Sequence, residues 1–359
     1  MTSYNAAFTQ LIRRSRRAHW GNWGLSPDIR AGAVGVVDPA SGEFTLVQDQ
    51  MPGLDGRVSK SPLPSKWQLM SEHVSRQQAD ASLDGSGVDP DTGTKISAGL
   101  KVSWGLERSG SMVSEFSIES EDTVKGLGDL LAQQYDWLQQ QASAQGMSNG
   151  NGISQGFGVI SSVIWARSGL NVAAQSDNTT YSISGSASAV NQLVGQVEGK
   201  GSYTSATSDK SVDQHIWPDQ SGKVADAPVP IAYRFASFEG RTIIPNWTMH
   251  LGSFQLVLNN QHGGTYIVKG ELNYDTPRGH VKQDTSVSGG LIATIGAIPL
   301  DATNINLRLS FKGMFSDEHK SFHWDTPLGT WYDGTRHVDL SGVWPGSTHA
   351  TDAEAALTP

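Results

Sequence analysis

The sequence predicts an α+β protein, predominantly β, with an N-terminal twisted antiparallel sheet carrying a few helices and a C-terminal β-sandwich. Three observations lead there. Long segments alternate apolar and polar residues with a period of two, the repeat of a half-buried strand. Gly fills 40 of 359 positions and charged residues only 17%, a balance that favours sheets joined by turns over helical bundles. Only two stretches keep helical spacing.

The first of these opens the chain, where Phe8, Leu11 and Ile12 fall at i, i+3 and i+4 and Arg13, Arg14, Arg16 and Arg17 crowd the end. Gly32–Gly42 reads as a strand and turn, with a returning strand over Glu43–Val47. From Ile96 the even positions carry Ile96, Ala98, Leu100, Val102, Trp104 and Leu106, then Met112, Phe116 and Ile118. The break at Arg108–Ser111 predicts a hairpin of two strands. Ser120 with Glu121 and Asp122 then reads as a helix start, and Val124, Leu127, Leu131, Tyr135 and Leu138 keep helical spacing. Phe157–Ala174 returns to strand character with Val159, Val163 and Trp165 on one parity. Tyr181, Ile183, Ala187, Ala189, Leu193, Val197 and Tyr203 continue the alternation on odd positions, interrupted by Val190 and Val194. A boundary is expected at 245/246. Beyond it, strands over Phe254–Leu258, Thr265–Leu272, Leu291–Ile298, Ile305–Phe311 and His337–Val343 make the sandwich, residues 246–346, and residues 347–359 form a disordered tail.

The net charge of −9 is shared by both parts, so neither reads as a nucleic-acid domain. No stretch approaches the ~20 apolar residues of a spanning helix, and the N-terminus lacks the apolar core of a signal peptide. The expectation is a protein made soluble in the cytoplasm that acts at a membrane, with release from the cell left open. With no Cys there is no disulfide and no thiolate metal site. Asp317, His319, His323 and Asp325 have a metal-like spacing, but in a Gly- and Pro-flanked stretch they read as surface residues, so no metal and no cofactor is expected. Phosphate loops, nucleophile elbows and His-Glu-x-x-His are absent, so no enzyme is expected.

Two constellations remain. Long period-two strand pairs are what a transmembrane barrel needs, because one face meets lipid while the other lines water. The inserting candidates are Ile96, Ala98, Leu100, Val102, Trp104, Leu106 and Phe116 in one pair, and Val159, Val163, Trp165, Tyr181, Ile183, Ala187 and Ala189 in the other. The bland reading of each strand is an ordinary soluble sheet. The arginines Arg13, Arg14, Arg16 and Arg17, followed by Trp20 and Trp23, suit an acidic lipid surface, and equally a solvated helix end. Trp324, Trp331, Tyr332 and Trp344 suit either sugar stacking or core packing.

Taken in order, these pieces resemble the pore-forming domain of the gasdermin family. The resemblance rests on the basic helix Phe8–Arg17, the alternating Lys95–Ile118 running into Val124–Leu138, the second strand pair, and Pro228–Tyr233 leading to Phe238–Gly240. It implies acidic-lipid binding, homo-oligomerisation, and release of two hairpins into a large β-barrel, with the four arginines touching lipid. Two features depart from the family: the C-terminal third reads as β where animal members carry a helical inhibitory domain, and the N-terminal Cys of bacterial members is missing. The expected function is membrane perforation by residues 1–245, with the remainder restraining or targeting it through a receptor or glycan. The alternatives are a non-lytic two-domain binding module, carbohydrate-binding in one form, and a structural or assembly protein.

Overall fold

A computed structural model describes residues 3–88, 95–262, 266–311, 318–325, 327–343 and 347–354. The chain forms two compact units, Met1–Ser237 and Phe238–Pro359.

The first unit opens with α1 (Tyr4–Arg13), capped by the Ser3 hydroxyl, which accepts the Ala6 N–H at 3.0 Å. Phe8, Leu11 and Ile12 turn inward against Trp23, Trp67, Phe116 and Ile164. The strands β1 (His19–Gly21), β2 (Val34–Val37), β3 (Phe44–Gln48), β4 (Val58–Met70), β5 (Val74–Val88), β6 (Lys95–Leu106) and β7 (Met112–Val124) follow. After them come the helices α2 (Leu127–Gln133) and α3 (Tyr135–Ala144) and a two-strand ribbon, β8 (Ser148–Asn149) with β9 (Gly152–Ile153). Next are β10 (Phe157–Ala174), β11 (Thr179–Gly185), helix α4 (Ala187–Leu193), β12 (Ser205–Ser208), β13 (Val212–Trp217) and β14 (Val229–Glu239).

The 18-residue β10 is the hub. Along one edge it pairs with β2 and then β7; along the other, with β14 and then β13, all antiparallel. β7 in turn pairs with β4. A second sheet has the order β12-β11-β6-β5. The two orders correspond strand for strand: β4-β7-β10-β13 in the first sheet continues as β5-β6-β11-β12 in the second. Four long antiparallel strands therefore turn one corner together. Backbone bonding bridges the corner, with Gly110 N–H donating to Ala174 O (2.8 Å), Asn178 N–H to Glu107 O (3.0 Å) and Glu107 N–H to His73 O (3.1 Å). Three connections each carry a residue with left-handed φ: His73 at 64°, Gly110 at 85° and Asn178 at 52°.

This topology corrects several expectations. Residues 96–118 are not a hairpin, because β6 pairs with β5 and β11 while β7 pairs with β4 and β10. Arg108–Ser111 is the corner, and it shifts parity: Leu100, Val102 and Trp104 share a core with Val113, whereas Met112, Phe116 and Ile118 face the α1 layer. Likewise β10 and β11 are successive parts of one bent strand. Ala187 and Ala189 lie in α4, where the Ser186 hydroxyl caps the Ala189 N–H and Ala189, Val190, Leu193 and Val194 bury one helical face. The helix expected from Ser120 begins after Gly126, whose φ is 60°, because Glu121 and Asp122 are still paired within β7.

The second unit starts with Phe238, includes β15 (Thr242–Ile244), and is built from two four-stranded sheets. Its strands are β16 (Phe254–Asn259), β17 (Ile267–Thr276), β18 (Gly279–Ser288), β19 (Ile292–Ile298), β20 (Thr303–Phe311), β21 (Glu318–Trp324), β22 (Thr335–Val343) and β23 (Ser347–Asp352), with a short α5 (Pro327–Thr330). The orders are β19-β16-β22-β23 and β18-β17-β20-β21. Phe254, Leu256 and Leu258 on one side and Val268, Leu272, Leu307 and Leu309 on the other are fully buried between them. The expected disordered tail, 347–359, is corrected over residues 347–354, where β23 pairs with β22 and buried Arg336 meets Asp352 at 2.6 Å and Glu354 at 3.5 Å; residues 355–359 lie outside the described residues.

The central strand leaves no room at Gly158, where a Cβ would lie 1.9 Å from the Ala236 carbonyl oxygen. Gly158→Ala is expected to cost about 1–3 kcal/mol, read as a lower urea midpoint at unchanged slope.

Candidate functional site at the bend of the long strands

Inside the corner, one core joins both sheets to α4. Leu100, Val102, Trp104 and Leu106 of β6, Tyr181 and Ile183 of β11, Val113 of β7, and Leu170 and Val172 of β10 meet Val190, Leu193 and Val194 there. The opposite face of the second sheet is small and polar: Lys101 and Ser103 on β6, Ser182 and Ser184 on β11, Thr207 and Ser205 on β12, and Gln77 and Ala79 on β5. Period two therefore separates an apolar face from a hydrophilic one over these strands. β5 departs from it, since its register places Arg76, Gln78 and Asp80 beside Trp104, Val102 and Leu100.

A buried charge spans the bend. Glu115 of β7 is fully buried, and its Oε1 accepts from Trp104 Nε1 (2.9 Å), Arg76 Nε (3.0 Å) and Gln68 Nε2 (3.2 Å). Arg76 is itself 17% exposed and also reaches the Gln196 amide oxygen, once that amide is oriented to accept, at 2.6 Å from Nη2. One carboxylate thus ties the first sheet to the second and, through Arg76, to the segment after α4. Its other oxygen, Oε2, is buried without a hydrogen-bond partner among the described residues. α4 is further held by Ser168 of β10, whose hydroxyl donates to Gln192 O (3.3 Å) and accepts from Gly201 N–H (3.1 Å). Gly195 closes the helix with φ 67°, where a Cβ would lie 2.4 Å from Phe116 O.

The expected membrane contacts are distributed otherwise. Trp20 and Trp23 are 1% and 4% exposed, so in this fold they are core residues rather than interfacial ones. Arg13 is largely buried, its guanidinium 4.1 Å above the Trp20 ring and its Nε donating to His19 O at 3.0 Å. Burial pushes its pKa down to about 10. Arg14 is exposed, and Arg16 and Arg17 are half-buried, with Arg16 lying 5.9 Å over Trp67. Of the strand residues, Leu100, Val102, Trp104, Leu106, Tyr181 and Ile183 come together in the bend core. Ala98 is exposed, Val159 and Val163 are buried in the first half of β10, Trp165 is half-buried there, and Phe116 faces α1. The side chain of Ile96 lies outside the described residues. His323 and His319 stand on β21, His323 bonded to Asn306 (2.7 Å) and Asp325 (2.5 Å); Asp317 and Trp344 fall outside the described residues. Trp331 is core, in edge contact with Trp324 at 5.4 Å.

Sequence reasoning missed Arg76 and Glu115. Glu115 carries a weak signal, an acid between Ser114 and the apolar Phe116 in the apolar first half of its strand, whereas nothing near Arg76 marks it.

Removing one partner of a buried pair costs roughly 3–5 kcal/mol. Arg76→Ala is expected to lower stability by about that amount and Glu115→Gln by less, and a double-mutant cycle is expected to show coupling above ~1 kcal/mol; additive losses would sink the latch. His19 supplies a pH effect. It is buried, and that burial, reinforced by the charges of Arg234, Arg16 and Arg13 and only partly offset by the Arg16 backbone, pushes its pKa down to about 3. The folded protein therefore refuses a proton that the unfolded chain accepts. The resulting stability is fully present above pH ~6.5 and lost toward pH 3, at about 1.4 kcal/mol per unit. Urea midpoints across that range check it, with a shallower slope expected for His19→Gln.

No family model matches the chain, and no curated protein matches it. Among solved structures it is similar to a disulfide-locked mutant of intermedilysin with human CD59, at 9% identity and TM-score 0.20, covering 79% of this chain and 67% of that one. It is also similar to a Gram-negative toxin at 9% identity and TM-score 0.23, covering 91% and 85%. At these TM-scores the likeness is slight.

Proposed function

We propose that the protein perforates membranes: it binds a lipid surface, assembles with further copies, and inserts strands from the bent sheet as a β-barrel. The observation that carries this reading is the second sheet itself, in which β6 and β11 present one apolar face, covered by α4, and one face of small polar residues. No helix among the described residues is long and apolar enough to cross a bilayer, which leaves strands as the spanning elements of this proposal. β5 and β6, with 15 and 12 residues, exceed the ~9–11 needed to cross. β11 and β12 have 7 and 4, so the second hairpin must recruit residues 186–204. That segment is suited to both states. It is helical in α4, yet Ala187, Ala189, Leu193, Val197 and Tyr203 prolong the odd parity of Tyr181 and Ile183.

Assembly follows from the same sheet. Its outer strands are β5 and β12, and four antiparallel strands per copy allow the edge of one copy to meet the edge of the next with alternation unbroken. The resemblance of the sequence to gasdermins is consistent with the reading in its order of elements, a strand pair before the helices and another after, with the first pair now β5 and β6 instead of the two halves of residues 95–118. Binding and insertion, not catalysis, is the proposed activity, and the second unit serves it as a targeting or restraining domain.

The non-lytic binding module is favoured by one observation: Arg76, Gln78 and Asp80 share the apolar face, where a lipid-facing charge is costly. A chain without Cys permits a clean discrimination by single cysteines carrying an environment-sensitive dye. With liposomes present, labels at Leu100 and Val102, shielded in the soluble fold, are expected to become accessible to a quencher confined to the lipid tails while those at Lys101 and Ser103 stay accessible to an aqueous quencher, alongside release of a trapped dye. Glu115→Gln is expected to speed release several-fold. An absence of both release and alternation, with protein bound, would favour the module.

A further inference from the structure

The outer face of the sheet β18-β17-β20-β21 is polar, and its register sorts the residues into rows. One row reads Ser286, Lys269, Ser310 and His319, directly opposed from strand to strand. All four are potential hydrogen-bond donors, and the row contains no carboxylate. The neighbouring row reads Asp284, Glu271, Arg308 and Ser321. Its two acids are matched by Lys282, 2.5 Å from Glu271 and 3.9 Å from Asp284. Lys269 and Arg308, diagonal neighbours, make no ion pair within 4.0 Å among the described residues, although Arg308 stands opposite Glu271, whose carboxyl the Lys282 hydrogen bond, helped by the Arg308 charge, holds below its ordinary pKa. The two serines are short beside the long side chains around them, and the result is an open trough of about 620 Å³ in which Lys269, Ser286, Arg308, Ser310 and His319 line one part and the acids Glu271 and Asp284, which Lys282 offsets, line another.

The same outer face changes character two residues before Lys269. Ile267 is 49% exposed and pairs with Ser288, and the turn after Ser288 leads to Leu291 and Ile292, 58% and 50% exposed. The turn is anchored there by Gly289 N–H donating to Tyr266 O (3.1 Å) and Leu291 N–H to Ser288 O (3.2 Å). Ile267 thus borders the donor row, and Leu291 and Ile292, two more of the large apolar side chains that the described chain leaves exposed, follow the turn that leaves β18 opposite Ile267, Ile292 as the first residue of β19 in the other sheet.

We infer that this end of the second unit binds the phosphate of a lipid headgroup, with Lys269, Arg308, Ser286, Ser310 and His319 around the phosphate and Ile267, Leu291 and Ile292 entering the acyl boundary. Donors beside exposed apolar side chains match the layering of a bilayer surface, where phosphate lies over hydrocarbon. A free phosphate or a sulfated sugar would use the donors and leave the apolar trio without purpose. In a protein of net charge −9 the row supplies attraction where the whole molecule repels an acidic surface. The inference deepens the targeting role proposed for this unit and rests on that reading only for the choice of a lipid.

The test is vesicle flotation of the full chain on phosphatidylcholine alone and on phosphatidylcholine with phosphatidic acid, with dye release read in the same samples. Binding to the phosphatidic-acid vesicles is expected to weaken with salt and to fall by ~25-fold in the Lys269→Ser, Arg308→Ser double variant. It is expected to fall in Ile267→Ser, Leu291→Ser as well, and to persist in Lys269→Arg. All changes lie on exposed positions, and matched thermal midpoints verify folding. Equal binding to both vesicle types, unaltered binding by the serine variants, or displacement by inorganic phosphate with no loss in the isoleucine–leucine variant would overturn the inference. Binding without dye release would overturn the pore reading and leave this one standing; dye release with unaltered binding by the variants would do the reverse.

Discussion

A strand can pass from one sheet into another only if its backbone groups find partners on both sides of the turn. In the first unit four neighbouring strands meet that condition together. The bonds from Gly110, Asn178 and Glu107 carry the pairing through the corner, and the core inside it is assembled from both sheets at once. Once the strands turn, their inner faces approach, and Glu115 can be shared between Gln68 and the Trp104–Arg76 pair. α4 then fills the space between the sheets. Its position, the caps at Ser186 and Gly195, and the burial of Tyr181 all follow from the turn.

The second unit solves a different problem. Its two sheets close on each other, so the inner strands β16, β17 and β20 divide into an inward apolar and an outward polar set with little ambiguity. What distinguishes it is the outward set, where donors and acids are sorted by row, and the end that exposes Ile267, Leu291 and Ile292.

Much of this was legible in the sequence. The class, the opening helix, the hairpin at Gly32–Val47, β10 and five strands of the sandwich follow from periodicity and turn chemistry. Pairing did not, because alternation along one strand says nothing about its neighbour: Lys95–Ile118 alternates almost unbroken, and its corner looks like a hairpin turn. β4 and β5 were invisible because Pro62 and Pro64 interrupt the one and polar residues fill the other. β18 and β21 escaped for the same reason, being edge strands with a mostly exposed, charged surface. α4 was read as strand because its sequence satisfies both periods. The latch was missed because a buried ion pair joins residues 39 apart in sequence, and only the fold brings Arg76 to Glu115.

The three left-handed residues of the corner have a bearing on how the sheet can move. Gly110 adopts its conformation freely and Asn178 tolerates its φ of 52°, but His73 holds φ 64°, which for a residue with a Cβ costs about 1–2 kcal/mol. A backbone running straight through the same residues would not carry that cost. The turned corner is therefore the strained form of these connections, and the buried carboxylate and the helix packed inside it hold it in place.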